Sequence, residues 1–210
     1  MKLNTTEVAQ LRPDYIGFIF WEPSTRFFDG ELPAIPHEVC KVGVFVDAEP
    51  KAIISTVKKY RLQAIQLHGA ETPAYCEALS TELIEINQKV ALIKVFSVRA
   101  DFDFEPLRPY EVVCDYFLFD TKGKLPGGNG FSFDWTVLKN YPFTKPYFLS
   151  GGIGQEDLPK LNEFMQLPES KYCYAIDVNS KFEMEPGLKK IDELRFFKEG
   201  ITDLPALRRP

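Results

Sequence analysis

The stretch Tyr15-Ile16-Gly17-Phe18-Ile19-Phe20 is apolar on both of its alternating faces, and its reading decides the fold. A strand with one wet face alternates apolar with polar residues, whereas one that is apolar on both faces belongs to a parallel sheet covered on both sides. Six further runs share this character, at 41–46, 63–67, 90–96, 115–119, 146–150 and 173–178. Successive runs begin 22 to 31 residues apart, the spacing of a βα repeat with right-handed crossovers. Amphipathic stripes fill several of the intervals: Ile53, Val57 and Tyr60; Cys76, Leu79, Leu83 and Ile86; Leu158 and Leu161; Ile191, Leu194 and Phe197. Each stripe recurs at helical spacing and gives its helix one face to bury.

At 210 residues the chain has the size of one domain, expected to span 1–210. A domain this long buries roughly 70% of its unfolded surface without needing a disulfide or structural metal. The 18 phenylalanines predict an aromatic core. A net charge of −5 argues against a nucleic-acid binder and against a polybasic membrane anchor. Cys40, Cys76, Cys114 and Cys173 form no C-x-x-C pair and read as reduced thiols, most of them buried. His37 and His68 are the two histidines, too few for a His-rich metal centre. The first residues carry no apolar leader, so the expected location is cytoplasmic.

A repeat of this kind closes into a barrel or opens into a doubly wound sheet. The first strand is not followed by G-x-G-x-x-G, which weakens the dinucleotide-binding sheet. Polar residues and glycines instead cluster after several strand ends, at 22–26, His68-Gly69, Asp120-Thr121, Gly151-Gly152 and 177–181. Chemistry spread over many strand ends is the habit of the α/β barrel, and the expected fold is a (β/α)8 TIM barrel. The 14 residues before the first run read as a helix, with Asn4 at its cap and Pro13 at its stop. The first strand of the eight is therefore expected to be missing from this chain.

Within that frame, Gly151-Gly152 at a strand end lets backbone N–H groups approach an anion, beside a helix expected to begin near Gln155. Taken alone the pair also reads as an ordinary tight turn. The loop Asp177-Val178-Asn179-Ser180-Lys181 strengthens the anion reading, because barrel phosphate sites commonly lie between the last two βα loops. Asp120 closes an apolar strand, where a carboxyl can serve as general acid; it also reads as a turn residue. His68 reads either as a site residue or as a neutral, hydrogen-bonded histidine. Arg26 can clamp a carboxylate bidentately or simply be solvated. In 131–135, Ser132 or Asp134 reads as a helix cap.

Taken in order, these segments resemble the phosphoribosylanthranilate isomerase family. The matching stretches are 14–20 with Ser24-Thr25-Arg26, then 41–46, Gln66-Leu67-His68-Gly69 and Phe119-Asp120-Thr121. They continue through Gly127-Gly128-Asn129-Gly130 with Phe133-Asp134-Trp135, Leu149-Ser150-Gly151-Gly152, and 175–180 on to Glu183 and Pro186-Gly187. The resemblance implies a cofactor-free Amadori rearrangement of a phosphosugar in tryptophan biosynthesis, by a monomer or homodimer. It assigns Asp120 as the acid that opens the ribose ring and Arg26 as the grip on the anthranilate carboxylate. His68 would line the site, Asp177 would lie near the sugar, and Gly151, Gly152, Asn179 and Ser180 would cradle the phosphate.

Two departures qualify what the resemblance implies. The family's general base is a cysteine in a Lys-x-Cys-Gly strand, and Met1 stands where the residue after that motif would be. None of the four cysteines occupies such a motif, and Cys40 is expected at the opposite rim. Many members have glycine where Lys181 stands, and that lysine reads equally as a phosphate ligand or a solvated side chain. A chain impaired by loss of its base is the expected outcome. The alternative is a phosphosugar-binding barrel without catalysis. A barrel synthase would need catalytic lysines in its strands and an epimerase metal-binding histidines; Lys94 alone and His68 alone supply neither.

Overall fold

The structure, a computed structural model, describes residues 1–86, 89–121 and 134–202. A short helix α1 (Thr5–Gln10) leads into β1 (Tyr15–Ile19) and β2 (Cys40–Phe45). Then follow α2 (Pro50–Tyr60), β3 (Ala64–Leu67), α3 (Pro73–Glu85), β4 (Ala91–Val98), β5 (Tyr116–Thr121) and β6 (Tyr147–Leu149). The chain continues with α4 (Leu158–Phe164), β7 (Cys173–Ile176), a small hairpin β8 (Glu183–Glu185) and β9 (Leu188–Lys189), and α5 (Ile191–Thr202). The first seven strands are all parallel and pair in sequence order. β1 and β7 are the two edges of this sheet. The sheet curls enough that Tyr15 on β1 reaches Tyr174 on β7, with hydroxyls 3.4 Å apart. It thus follows a (β/α)8 barrel through seven strand positions, and β7 and β1 do not pair with each other across the remaining seam.

Period-two alternation sorts the side chains into two cores. Phe45, Ile65, Leu67, Leu92, Phe117, Phe119, Tyr147 and Leu149 point outward and pack on Ile53, Val57, Leu79, Leu83 and Leu161 of the helices. Val42, Ala64, Ile93, Val95, Leu118 and Phe148 point inward and fill the barrel, with the rings of Tyr15, Tyr116 and Tyr174 among them. The interior is therefore a packed plug. Its parity carries upward to the C-terminal rim: Ala64, Gln66 and His68 share one side, as do Leu118 and Asp120, Phe148 and Ser150, and Ala175 and Asp177. The polar residues after these strands are aimed inward by the same alternation that aims the plug.

The repeat is less regular than its spacing suggests. Residues 20–39 contain no helix, and Phe28, Leu32, Ile35 and Val39 cover β1 where a crossover helix would lie. Among the described residues, 3-10 segments Glu105–Tyr110 and Trp135–Asn140 are the helical turns between β4 and β5 and between β5 and β6. Prolines at 23, 33, 36, 106, 109, 142 and 146 withhold the backbone donors that longer helices need. Asp134 caps the second segment by accepting from the Thr136 N–H at 3.1 Å, while Ser132 lies outside the described residues. Asn4 precedes α1, yet its side chain does not cap the helix. It bonds both backbone groups of Lys189, at 2.8 and 2.9 Å, and so ties the start of the chain to β9.

Candidate active site

A cavity of about 320 Å³ opens at the C-terminal rim and runs along the β7–β1 seam. Arg26, His68, Asp120, Gly151, Gly152, Asp177, Asn179 and Ser180 all border it. Asp120, near the end of β5, is buried; its Oδ1 accepts from the Thr121 N–H at 2.8 Å and its Oδ2 lies 3.6 Å from His68 Nε2. Nδ1 of His68 is 3.4 Å from the Gln66 amide. The histidine is thus both hydrogen-bonded, as its plainer reading expected, and beside the candidate acid. His37 is exposed, pairs with Glu38, and does not border the cavity.

Asp177 follows β7 and accepts the Ser150 hydroxyl at 2.7 Å. Burial pushes its carboxyl above the usual aspartate range; the Ser150 bond opposes this, and the nearby charge of Asp120 adds to it. Two carboxyls thus share the mouth, one of them reluctant to ionise. Gly151 has φ +97°, and a Cβ there would fall 2.3 Å from Thr121 Oγ1 and 2.6 Å from Thr121 N. Only glycine brings the β6 loop this close to the end of β5. The helix expected near Gln155 starts later: 155–157 form a 3-10 turn and α4 begins at Leu158. Asp157 already accepts the Gly154 N–H at 2.8 Å, so the amides open to the cavity here are those of the loop, not of a long helix.

Arg26 meets a carboxylate within the protein. Its Nε and Nη2 grip Glu183 at 2.6 to 3.1 Å. Lys181 neither reaches into the mouth nor hangs free; it bonds Glu156 at 2.9 Å across the two loops. Glu183 and Ser150 stand in the matched stretches without a role there, and Lys189 lies beyond them. The inward parity shared with Phe148 is the signal that could have singled out Ser150. Gly127-Gly128-Asn129-Gly130 and Phe133 lie outside the described residues.

A family model described as N-(5'-phosphoribosyl)anthranilate (PRA) isomerase matches residues 3–199. The chain belongs to this family. A relative in Parabacteroides distasonis, named N-(5'-phosphoribosyl)anthranilate isomerase, is 41% identical over 204 residues, covering 94% of this chain and 88% of its own. The crystal structure of phosphoribosyl anthranilate isomerase from Thermotoga maritima superposes with a TM-score of 0.78 at 26% identity, over 97% of this chain and 96% of that one. Another phosphoribosyl anthranilate isomerase structure holds reduced 1-(o-carboxyphenylamino)-1-deoxyribulose 5-phosphate. It superposes with a TM-score of 0.74 at 26% identity, over 97% and 96% of the two chains. Among the described residues of the present chain, no helix is long and apolar enough to cross a membrane.

Proposed function

We propose that this site is built for the Amadori rearrangement of N-(5'-phosphoribosyl)anthranilate to 1-(o-carboxyphenylamino)-1-deoxyribulose 5-phosphate, a step of tryptophan biosynthesis. The observation that carries this reading is the meeting of Asp120, His68, Arg26, Asp177 and the Gly151-Gly152 and Asn179-Ser180 loops around one cavity. Asp120 donates a proton to the ribose ring oxygen, the C1–O bond breaks, and the anilino nitrogen's electron pair forms the Schiff base. His68 holds the freed carboxylate in place from 3.6 Å. Removal of the C2 proton gives the enolamine, whose tautomerisation yields the ketose. Arg26 grips the ring carboxylate, Asp177 faces the sugar, and backbone N–H groups of the two loops hold the phosphate.

The C2 proton needs a base, which in the family is a cysteine. None of the four cysteines here borders the cavity. Cys40 starts β2 at the far rim, and Cys76, Cys114 and Cys173 are buried away from the mouth. A general base is worth roughly 10²- to 10⁴-fold, so turnover by this chain is proposed to be impaired by about that factor. The same observation favours the second reading, a barrel that binds phosphosugars without isomerising them. The test compares the 210-residue chain, the chain extended by a Lys-x-Cys-Gly strand, and the extended chain with its cysteine changed to serine. High turnover in the second form alone supports the isomerase reading and the role of the cysteine. Equal turnover in all three places the base elsewhere. Ligand binding without turnover in any form leaves the binding barrel.

A further inference from the structure

Around Glu183 two cations share one carboxylate, all three nearly enclosed, with side chains 18% exposed at Arg26, 4% at Glu183 and 8% at Lys189. Oε2 accepts Arg26 Nη2 at 2.6 Å and Nε at 2.8 Å, while Oε1 accepts Arg26 Nε at 3.1 Å and Lys189 Nζ at 3.0 Å. Burial alone would raise the Glu183 carboxyl, but the Arg26 bonds and the Lys189 charge outweigh it and hold it below the usual range. The remaining donors of Lys189 go to Asn179, at 2.9 Å to its carbonyl and 2.6 Å to its Oδ1. Beyond Glu183, the Asp177 carboxyl also acts on Lys189, whose ammonium burial disfavours, and the two basic side chains of the cluster border the cavity.

We infer that Glu183 is a positioning residue that aims Arg26 at the substrate's ring carboxylate. The inference rests on the proposed carboxylate grip of Arg26. Arg26 sits on a crossover without helix or strand, and an arginine so placed has many rotamers to lose. Glu183 holds Nε and Nη2 of an arginine that borders the cavity, so much of that ordering cost is met before the ligand arrives. The second anion that the cluster accepts is then the ligand's carboxylate, at a fixed span from the phosphate loop. Loss of Glu183 would free the guanidinium to turn away from the now unshared Lys189.

Calorimetric titration of the full chain tests this with two ligands, reduced 1-(o-carboxyphenylamino)-1-deoxyribulose 5-phosphate and the same compound without its ring carboxylate. In the wild type the carboxylate should strengthen binding by at least about tenfold. Glu183→Gln is expected to remove most of that ratio while changing the affinity for the second ligand by less than about threefold. In an Arg26→Gln background, Glu183→Gln should add nothing to the ratio. An unchanged or larger ratio in Glu183→Gln, or an equal loss for both ligands, overturns the inference and leaves the Arg26 grip standing. A wild-type ratio near one overturns the grip itself, and the inference with it. Should Glu183→Gln fail to fold, Glu183→Asp keeps the charge but draws the carboxylate back by one methylene, and its ratio is judged by the same outcomes.

Discussion

On the β3–β4 side of the mouth, Lys94 and Glu71 form an ion pair whose side chains are 3% and 1% exposed. On the β7–β1 side, Arg26 and Lys189 divide Glu183 between them. The first arrangement is saturated. Lys94 gives its three protons to Leu67 O, Gly69 O and Glu71 Oε2, while Glu71 also accepts the N–H groups of Asp47 and Gly69. Its charges cancel and neither residue borders the cavity. The second arrangement faces the cavity, with Arg26 and Lys189 both on its wall. The contrast teaches that one side fixes a loop, the one that begins with His68, while the other places two basic side chains on the cavity wall, where the proposed function puts the substrate's anionic groups.

The sharpest way to break this comparison is to remove one cation from each side. Lys94→Met strands Glu71 as an uncompensated buried charge, and we expect a loss of about 3–5 kcal/mol in urea unfolding. Lys94→Met with Glu71→Gln should recover much of it, because the amide oxygen can still accept from the loop. Lys189→Met should cost clearly less, since Arg26 still holds Glu183, and should instead weaken binding of phosphorylated ligands. Equal stability losses on the two sides would dissolve the distinction.

Asp120 stands where the two sides meet, with His68 on one flank and Asp177 beyond the other. In the chain extended by a Lys-x-Cys-Gly strand, Asp120→Asn should lower kcat by roughly 10²-fold or more without unfolding the protein. Steady-state kinetics alongside a thermal melt checks this. Near-normal turnover would remove Asp120 from the acid role and leave it a capping residue.

How much of this was legible follows from the range of the interactions. The seven strands could be read because a strand buried on both faces writes its burial into consecutive residues, as 15–20 does. The inward parity at the rim follows from the same rule, so Asp120, His68 and Asp177 were within reach of the sequence. Glu183 was not given a role because its partner Arg26 lies 157 residues away, and no local pattern links a crossover arginine to a hairpin glutamate. Lys94 and Glu71 were hidden for a related reason: a lysine in an apolar strand gives no sign of the carboxylate, 23 residues away, that neutralises it. The missing crossover helices were written in the prolines at 23, 33, 36, 106 and 109, which the regular strand spacing concealed.

A smaller effect comes from Asp177. Its pKa is raised in the folded protein, so between the unfolded and folded values the native state binds more protons. Stability therefore falls as pH rises through that window, and the penalty is complete above it. Asp177→Asn keeps an oxygen to accept from Ser150 and removes the charge. It should stabilise the fold at neutral pH and give no gain below about pH 3.9, the unfolded value. Urea midpoints across that range would show it, and a gain that persists at low pH would refute burial as the cause.

The smallest effect is expected at Lys181, which tests whether the basic side chains that meet the ligand extend to the outer rim of the open side. Its bond to Glu156 links the loops after β6 and β7, but both side chains are well exposed, at 37% and 63%. Solvent and salt screen such a pair, so Lys181→Ala should cost about 0.5 kcal/mol or less. The loops stay joined without it, because the Asp177 N–H donates to Leu149 O at 2.8 Å and Ser150 to the Asp177 carboxylate. Phosphate-bearing ligands should then bind to Lys181→Ala within about threefold of the wild type at moderate salt, where the Debye length is about 8 to 10 Å. A tenfold loss would mean that Lys181 leaves Glu156 for the phosphate when ligand arrives. The basic side chains that meet the ligand on the β7–β1 side would then extend past Arg26 and Lys189 to the rim of the proposed phosphate site.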